Sequence, residues 1–228
     1  MEVAAASDSP AIEAVNLFRF YHAGDDDETL ALRGVSLAVQ PGEIVAVVGP
    51  SGSGKSTLLA CLAGLDDPDG GVVRVGGERM SRRPEADRAR LRATSIGVLM
   101  QSGNLLEHLS VIENVELAQA VSGNRTRSAR ELLDSVGLGA KEHSRPSRLS
   151  GGGAARAGLA VALAGGPLVL LADEPTGEVD AANEHAISQV LADIAASGTA
   201  VVVVTHSERL AASASRVLRL RDGVLIDE

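Results

Sequence analysis

The chain has 228 residues, enough for one large domain or for a domain with an added lobe. Hydrophobic residues make up 45 % and charged residues 22 %, a composition that builds a packed core and excludes default disorder. Acidic side chains outnumber basic ones by 30 to 21, which argues against a protein that coats nucleic acid, although a local basic patch stays compatible. The aromatics Phe18, Phe20 and Tyr21 fall within four positions, so no interleaved stacking platform for single strands exists. The one cysteine, Cys61, can form no internal disulfide and fits a reducing compartment. The apolar stretch 157–172 is broken by Gly165-Gly166-Pro167 and falls short of the roughly 18 to 20 residues of a membrane span. The start Met1-Glu2-Val3-Ala4 lacks the basic opening and apolar centre of a secretion signal, so a soluble, cytoplasmic chain is expected.

In chain order, residues 12–20 alternate as a strand and 22–28 form an acidic loop tip. Residues 30–39 read as a second strand, closed by the turn Gln40-Pro41-Gly42. Ile44-Val45-Ala46-Val47-Val48 is a continuous apolar run that suits a strand buried on both faces. A glycine-rich loop leads into a helix over 55–63, ending at Gly64. A turn at 66–71, a short strand at 72–75, a helix at 85–92 and a strand at 96–100 follow. Over 102–163 the pattern is helical. Ser110-Val111-Ile112-Glu113 is a capping box, and 127–136 is amphipathic with Gly137 behind it. Buried strands at 168–172 and 200–204 flank a helix at 181–196. The alternation predicts an α/β fold with a mostly parallel sheet and an inserted helical lobe. The expected division of this single domain is about 11–100 and 164–228 as core and about 102–163 as lobe.

Three constellations carry chemistry. Gly49-Pro50-Ser51-Gly52-Ser53-Gly54-Lys55-Ser56-Thr57 matches G-x-x-x-x-G-K-[ST], with a strand before it and a helix after. Glycines let consecutive backbone N–H groups converge on phosphate oxygens at a helix N-terminus, where the dipole also favours anions. Lys55 adds a point charge for the β- and γ-phosphates, and the Ser56 hydroxyl a ligand for Mg²⁺. Next, residues 168–172 form a buried strand tipped by Asp173 and Glu174. Ligands collect at the carboxyl ends of parallel strands, so Asp173 is placed to hold Mg²⁺ and Glu174 to act as general base on water. Taken alone such a pair reads equally as a solvated acidic loop. His206 tips the strand 200–204 in the same way; a lone histidine there is more often a surface or capping residue. Finally, Leu149-Ser150-Gly151-Gly152-Gly153 precedes a helical stretch at 154–163, with Ser150 a good N-cap.

The order of these motifs, over nearly the whole chain, resembles the nucleotide-binding subunit of an ATP-binding cassette (ABC) transporter. The resemblance implies a P-loop NTPase core with an antiparallel β part at its N-terminal end, ATP and Mg²⁺ as cofactors, and ATP hydrolysis. By it, Tyr21 is the aromatic that stacks on adenine, and residues 49–57 are the Walker A loop. Gln101 is the Q-loop glutamine, a magnesium ligand that senses a membrane partner. Leu149, Ser150, Gly151 and Gly152 form the signature, Asp173 and Glu174 the Walker B pair, Asp180 the D-loop aspartate and His206 the switch histidine. The segments 172–177, Gly64-Leu65-Asp66, Asn104-Leu105-Leu106 and Glu113-Asn114-Val115 resemble the lipoprotein-releasing, macrolide-export and cell-division ATPases. That group implies a head-to-tail homodimer on the cytoplasmic face of the membrane, driving a permease of few spans, with no nucleic-acid partner.

Two stretches depart from the family pattern. Gly153-Ala154-Ala155 stands where a glutamine or glutamate and polar residues usually follow the signature, and each extra helical glycine costs about 1 kcal/mol relative to alanine. Glu178-Val179 stands where asparagine and leucine are common. The altered signature tail keeps open a cassette that binds ATP and gates its partner with little hydrolysis. A relative without a permease, serving translation or DNA repair, usually carries paired cassettes or long coiled coils, which are not found here. Six arginines between Glu78 and Arg92, interspersed with Glu78, Glu85 and Asp87, read as a salt-bridged solvated face; contact with lipid headgroups or a permease loop is the alternative.

Overall fold

The computed structural model describes residues 9–22, 28–177 and 179–226; most of the expected acidic loop tip (23–27) and Glu178 lie outside the described residues. The chain runs through β1 (Ile12–His22), β2 (Glu28–Val39), β3 (Ile44–Val48), α1 (Lys55–Leu62), β4 (Gly70–Val75), β5 (Glu78–Arg79), α2 (Glu85–Ser95) and β6 (Ile96–Leu99). It continues through α3 (Val111–Ser122), α4 (Ala129–Ser135), α5 (Gly151–Leu163), β7 (Val169–Asp173), α6 (Ala181–Ala196), β8 (Ala200–Val204), α7 (Glu208–Ala212), β9 (Arg216–Arg221) and β10 (Val224–Ile226).

The strands form two sheets. One is antiparallel in the order β2-β1-β4-β5; the other runs β10-β9-β3-β8-β7-β6 and is parallel apart from β10. In β3, β7 and β8 the apolar run reflects burial on both faces, because successive side chains point to opposite sides of the sheet. Val45, Val47, Leu171, Val202 and Val204 pack toward the antiparallel sheet and α1. Ala46, Leu170, Ala172, Val201 and Val203 share a second core with Val115 of α3, Leu132 of α4, Leu159 of α5 and Ile187 of α6. The helices between β6 and β7 therefore bury their apolar faces in the same cluster as the sheet. Each fully buried valine or leucine contributes about 1.5–3 kcal/mol.

Local chemistry sets the helix ends. Ser110 with Glu113, and Ser128 with Glu131, complete capping boxes at α3 and α4. The helix starting at the signature is longer than its periodicity suggests. α5 begins at Gly151, so three glycines occupy its first turn, and the Ser150 hydroxyl accepts from Gly153 N–H at 3.2 Å. The pattern of the sequence also misses β5, α7, β9 and β10. In β9 (sequence RVLRLR) only Leu220 is buried, so its apolar signal is diluted by outward arginines, and the five residues of α7 are too few for a helical period. The arginines around α2 form the ion pairs of a solvated face: Arg83 to Glu78, Arg88 to Asp67 and Glu85, and Arg92 to Glu85.

Leu159→Ala, at a fully buried position between α5 and the sheet, should lower the unfolding free energy by about 2–5 kcal/mol in urea titrations. Cys61 is buried in α1, and burial pushes its thiol up to about 12. Ellman's reagent at pH 8 should accordingly leave it unmodified in the folded protein and label it promptly in denaturant.

Candidate functional site

β3 delivers the glycine-rich loop to the top of the parallel sheet, and α1 starts at its far side. At Gly54, the residue before α1, φ is 103°, and a Cβ there would lie 2.4 Å from the Ala31 carbonyl oxygen of β2. Only glycine fits both the backbone and the space. A Cβ at Gly49 would meet the Leu220 carbonyl oxygen of β9 at 2.0 Å. The loop is thus pressed between β2 and β9, and Gly223, in the turn after β9, ties the two together. Its N–H donates to Ser53 O at 3.1 Å and its carbonyl accepts from Arg33 N–H at 2.8 Å.

Inside this cradle Lys55 is 7 % exposed, and its ammonium donates to Gly49 O at 2.8 Å and Pro50 O at 3.0 Å. Those bonds use two of its three donors and fix the charge at the loop's mouth. The Ser53 hydroxyl is buried and has no hydrogen-bond partner among the described residues. Ser56 Oγ reaches 3.4 Å from Asp173 Oδ2 across α1 and β7. Asp173 is 8 % exposed; burial raises its pKa, while the bond from Ser56 and the charge of Lys55 oppose the rise.

β7 ends at Asp173, and Glu174 adopts φ 47°, the left-handed region rarely used by residues with a side chain. That kink breaks strand alternation, so both carboxylates belong to the same end of the sheet. Glu174 Oε2 accepts from His206 N–H at 3.1 Å, and Oε1 lies 3.4 Å from His206 Nε2. Among the described residues no hydrogen bond reaches the buried Oε1, so it can accept from a proton donor. The tips of β7 and β8 therefore bring Glu174 and His206 together.

Tyr21, at the end of β1, donates from its hydroxyl to Asp66 Oδ2 at 2.7 Å, and the Arg19 guanidinium covers its ring at 4.7 Å from the centroid. Arg19 also pairs with Asp66 and Asp69. Burial, followed by the bond to Asp66, raises the pKa of the Tyr21 phenol. Neither Arg19 nor Asp66 is marked by periodicity or motif as a partner of Tyr21. Partners 45 positions apart leave no periodic trace; the sole hint is the pair of acids Asp66 and Asp69 after α1.

Not every expected site residue lies in the cradle. Gln101 and Gly151 line a cleft of about 210 Å³ shared with Glu174, Met100, Leu105 and Ala155. Leu149, Ser150 and Gly152 open α5, and among the described residues no hydrogen bond joins them to the 49–57 loop. Asp180 caps α6: its carboxylate accepts from Asn183 N–H at 2.9 Å, which lowers its pKa. The 49–57 loop and residues 149–152 thus form two separate surfaces of the chain.

The cradle's donor set fits a magnesium nucleotide. The buried Ser53 hydroxyl has an unused bond, the positions of Gly49 and Gly54 admit no side chain, and Ser56 with Asp173 offers one hydroxyl and one carboxylate. Mg²⁺ is usually held by one or two carboxylates with the rest of its shell from phosphate and water. A mostly parallel sheet with a phosphate cradle after β3, and acidic residues at the tip of β7, separated from β3 by β8 alone, defines a P-loop nucleoside triphosphatase.

Residues 32–177 match the family model described as ABC transporter. An uncharacterized ABC transporter ATP-binding protein of Thermotoga maritima is 43 % identical over 93 % of this chain and 92 % of its own length. A macrolide export ATP-binding/permease protein, MacB, of Burkholderia thailandensis is 42 % identical over 96 % of this chain. The chain spans about a third (34 %) of the length of that relative and of others with the same name. Among solved structures, a dimeric ATP-binding cassette in a post-hydrolysis state with ADP and Pi superposes with a TM-score of 0.87. It is 33 % identical, over 95 % of this chain and 97 % of that one. The chain belongs to the ABC transporter family and is an ATP-hydrolysing cassette.

Lys55→Ala should weaken nucleotide binding by at least tenfold in titrations with a fluorescent ATP analogue, since it removes the ammonium fixed in the cradle.

Proposed function

We propose that this cassette powers a membrane-embedded permease of the export or mechanotransmission type, through ATP-driven closure of two copies. The observation that carries the reading is the pairing of Glu174 with His206 at the mouth of the cradle, with no hydrogen bond on Oε1 among the described residues. Bound ATP and Mg²⁺ supply the scissile anhydride and offset its charge. Lys55 and the loop N–H groups hold the phosphates, and Ser56 with Asp173 holds the cation. Gln101 lies in the adjoining cleft. His206 fixes Glu174 through its backbone N–H, and Glu174 Oε1 takes the proton of the attacking water. Tyr21, braced by Arg19 and Asp66, offers a ring face to adenine.

One copy cannot enclose a triphosphate, because its signature residues stand apart from its own loop. Two copies set head to tail place Ser150, Gly151 and Gly152 of each over the loop of the other, with Asp180 at the seam. Nucleotide that touches both faces stabilises the closed pair, and loss of the terminal phosphate releases it. The macrolide-export relatives are named as ATP-binding/permease proteins, which supports a permease partner for this chain. The helical segment 102–163 acts as the lobe that meets it. Met100 and Leu106, 41 % and 45 % exposed beside the Gln101 cleft, provide apolar contact there. Among the described residues no helix is long and apolar enough to cross a membrane. In the proposed reading the permease supplies the membrane spans and the cassette works on their cytoplasmic face.

Glu174→Gln should slow ATP turnover by about 10²–10⁴ while retaining nucleotide affinity, and should accumulate as an ATP-bound dimer on size exclusion. Near-normal turnover removes Glu174 from the base role, and a monomer at saturating ATP with Mg²⁺ overturns the paired reading.

A further inference from the structure

The first turn of α6 touches both functional surfaces with consecutive residues. Asp180 Oδ1 accepts from Asn183 N–H at 2.9 Å and from Asn183 Nδ2 at 3.1 Å, which locks the asparagine side chain. That side chain lies on the signature helix: a Cβ built at Gly152 would fall 2.4 Å from both Asn183 Cγ and Oδ1. The next residue, Glu184, turns the other way. Its carboxylate accepts a short hydrogen bond from Ser207 Oγ and lies 3.6 Å from Arg209. Ser207 directly follows His206, caps α7 by accepting from Leu210 N–H at 3.1 Å, and donates its own N–H to Thr205 Oγ1 at 3.0 Å. His206 in turn holds Glu174.

We propose that Asn183 and Glu184 are positioning residues which couple the two nucleotide sites of the closed pair. The inference rests on the paired reading above, in which His206 and Glu174 serve one nucleotide and the signature of the same copy serves the other. Glu184 ties the segment after the switch histidine to α6, and Asn183 ties α6 to the signature. A helix turn is stiff, so the two contacts shift as one body. A change at His206 on loss of the terminal phosphate at one site is carried to Gly152 at the other. Residue spacing fits this, because positions 183 and 184 lie about 100° apart around the helix and so face different neighbours.

The test measures ATPase rate against ATP concentration for the wild type, Asn183→Ala, Glu184→Ala and Ser207→Ala. Monomer affinity for a fluorescent ATP analogue and melting temperature are recorded alongside. Asn183→Ala keeps the backbone N–H that Asp180 caps, so α6 retains its N-terminus. Two coupled sites give the wild type a Hill coefficient approaching about 2. The three variants are expected to fall toward 1, with monomer affinity within about twofold of wild type, a split that local unfolding does not produce. A hyperbolic wild type, variants that stay sigmoidal, or loss of monomer affinity in step with cooperativity overturns the coupling. Failure of Glu174→Gln to dimerise in ATP separately marks the paired reading as the part that failed.

Discussion

A phosphate chain carries its charge on small, crowded oxygens, and the backbone can surround them only where side chains are absent. That constraint organises the molecule. The loop after β3 approaches the carbonyls of Ala31 and Leu220 so closely that Gly54 and Gly49 leave no room for a Cβ. The antiparallel sheet and the β9–β10 turn close on the same loop, with Gly223 bonded to both Ser53 and Arg33. Once the loop is held from two sides, α1 starts with its N–H groups facing the mouth and Lys55 is fixed across it.

The meeting of Glu174 and His206 at one end of the sheet follows from parallel pairing. β7 and β8 lie side by side in register, with Asp173 opposite Val204, so the residues just beyond, Glu174 and His206, emerge at the same height. The left-handed backbone at Glu174 turns its carboxylate toward the histidine segment. Residues in such conformations cost roughly 1–3 kcal/mol and persist where packing over-determines them. Here the packing is the fully buried β7 and β8 on one side and the Glu174 N–H bond to Val204 O on the other.

The signature end is built differently. Three glycines in the first turn of α5 weaken that helix, and Ser150 and the packing of Leu159 and Ala160 compensate. Small residues at Gly153, Ala154 and Ala155 leave this face low, and two of them line the cleft that also holds Gln101. Asn183 lies over Gly152 from α6, so the position of the signature depends on a neighbouring helix as well as on its own cap.

Much of this was legible from the amino-acid order alone. The 49–57 loop, the acid pair at 173–174, the capping box at Ser110, and the buried runs of β3, β7 and β8 are local patterns, and local patterns survive as sequence. Helix α6 was legible to its bounds because its period is long. The sequence could not reveal β9 and β10, whose polar faces dilute the signal, or the start of α5 within glycines. Nor could it reveal the clasp of Arg19 and Asp66 on Tyr21, or the link from Glu184 to Ser207. Those features join residues up to 47 positions apart. Chain order supplies which groups are present; only the folded sheet and helices decide which of them meet, because distance in space follows packing and leaves no mark of its own along the chain.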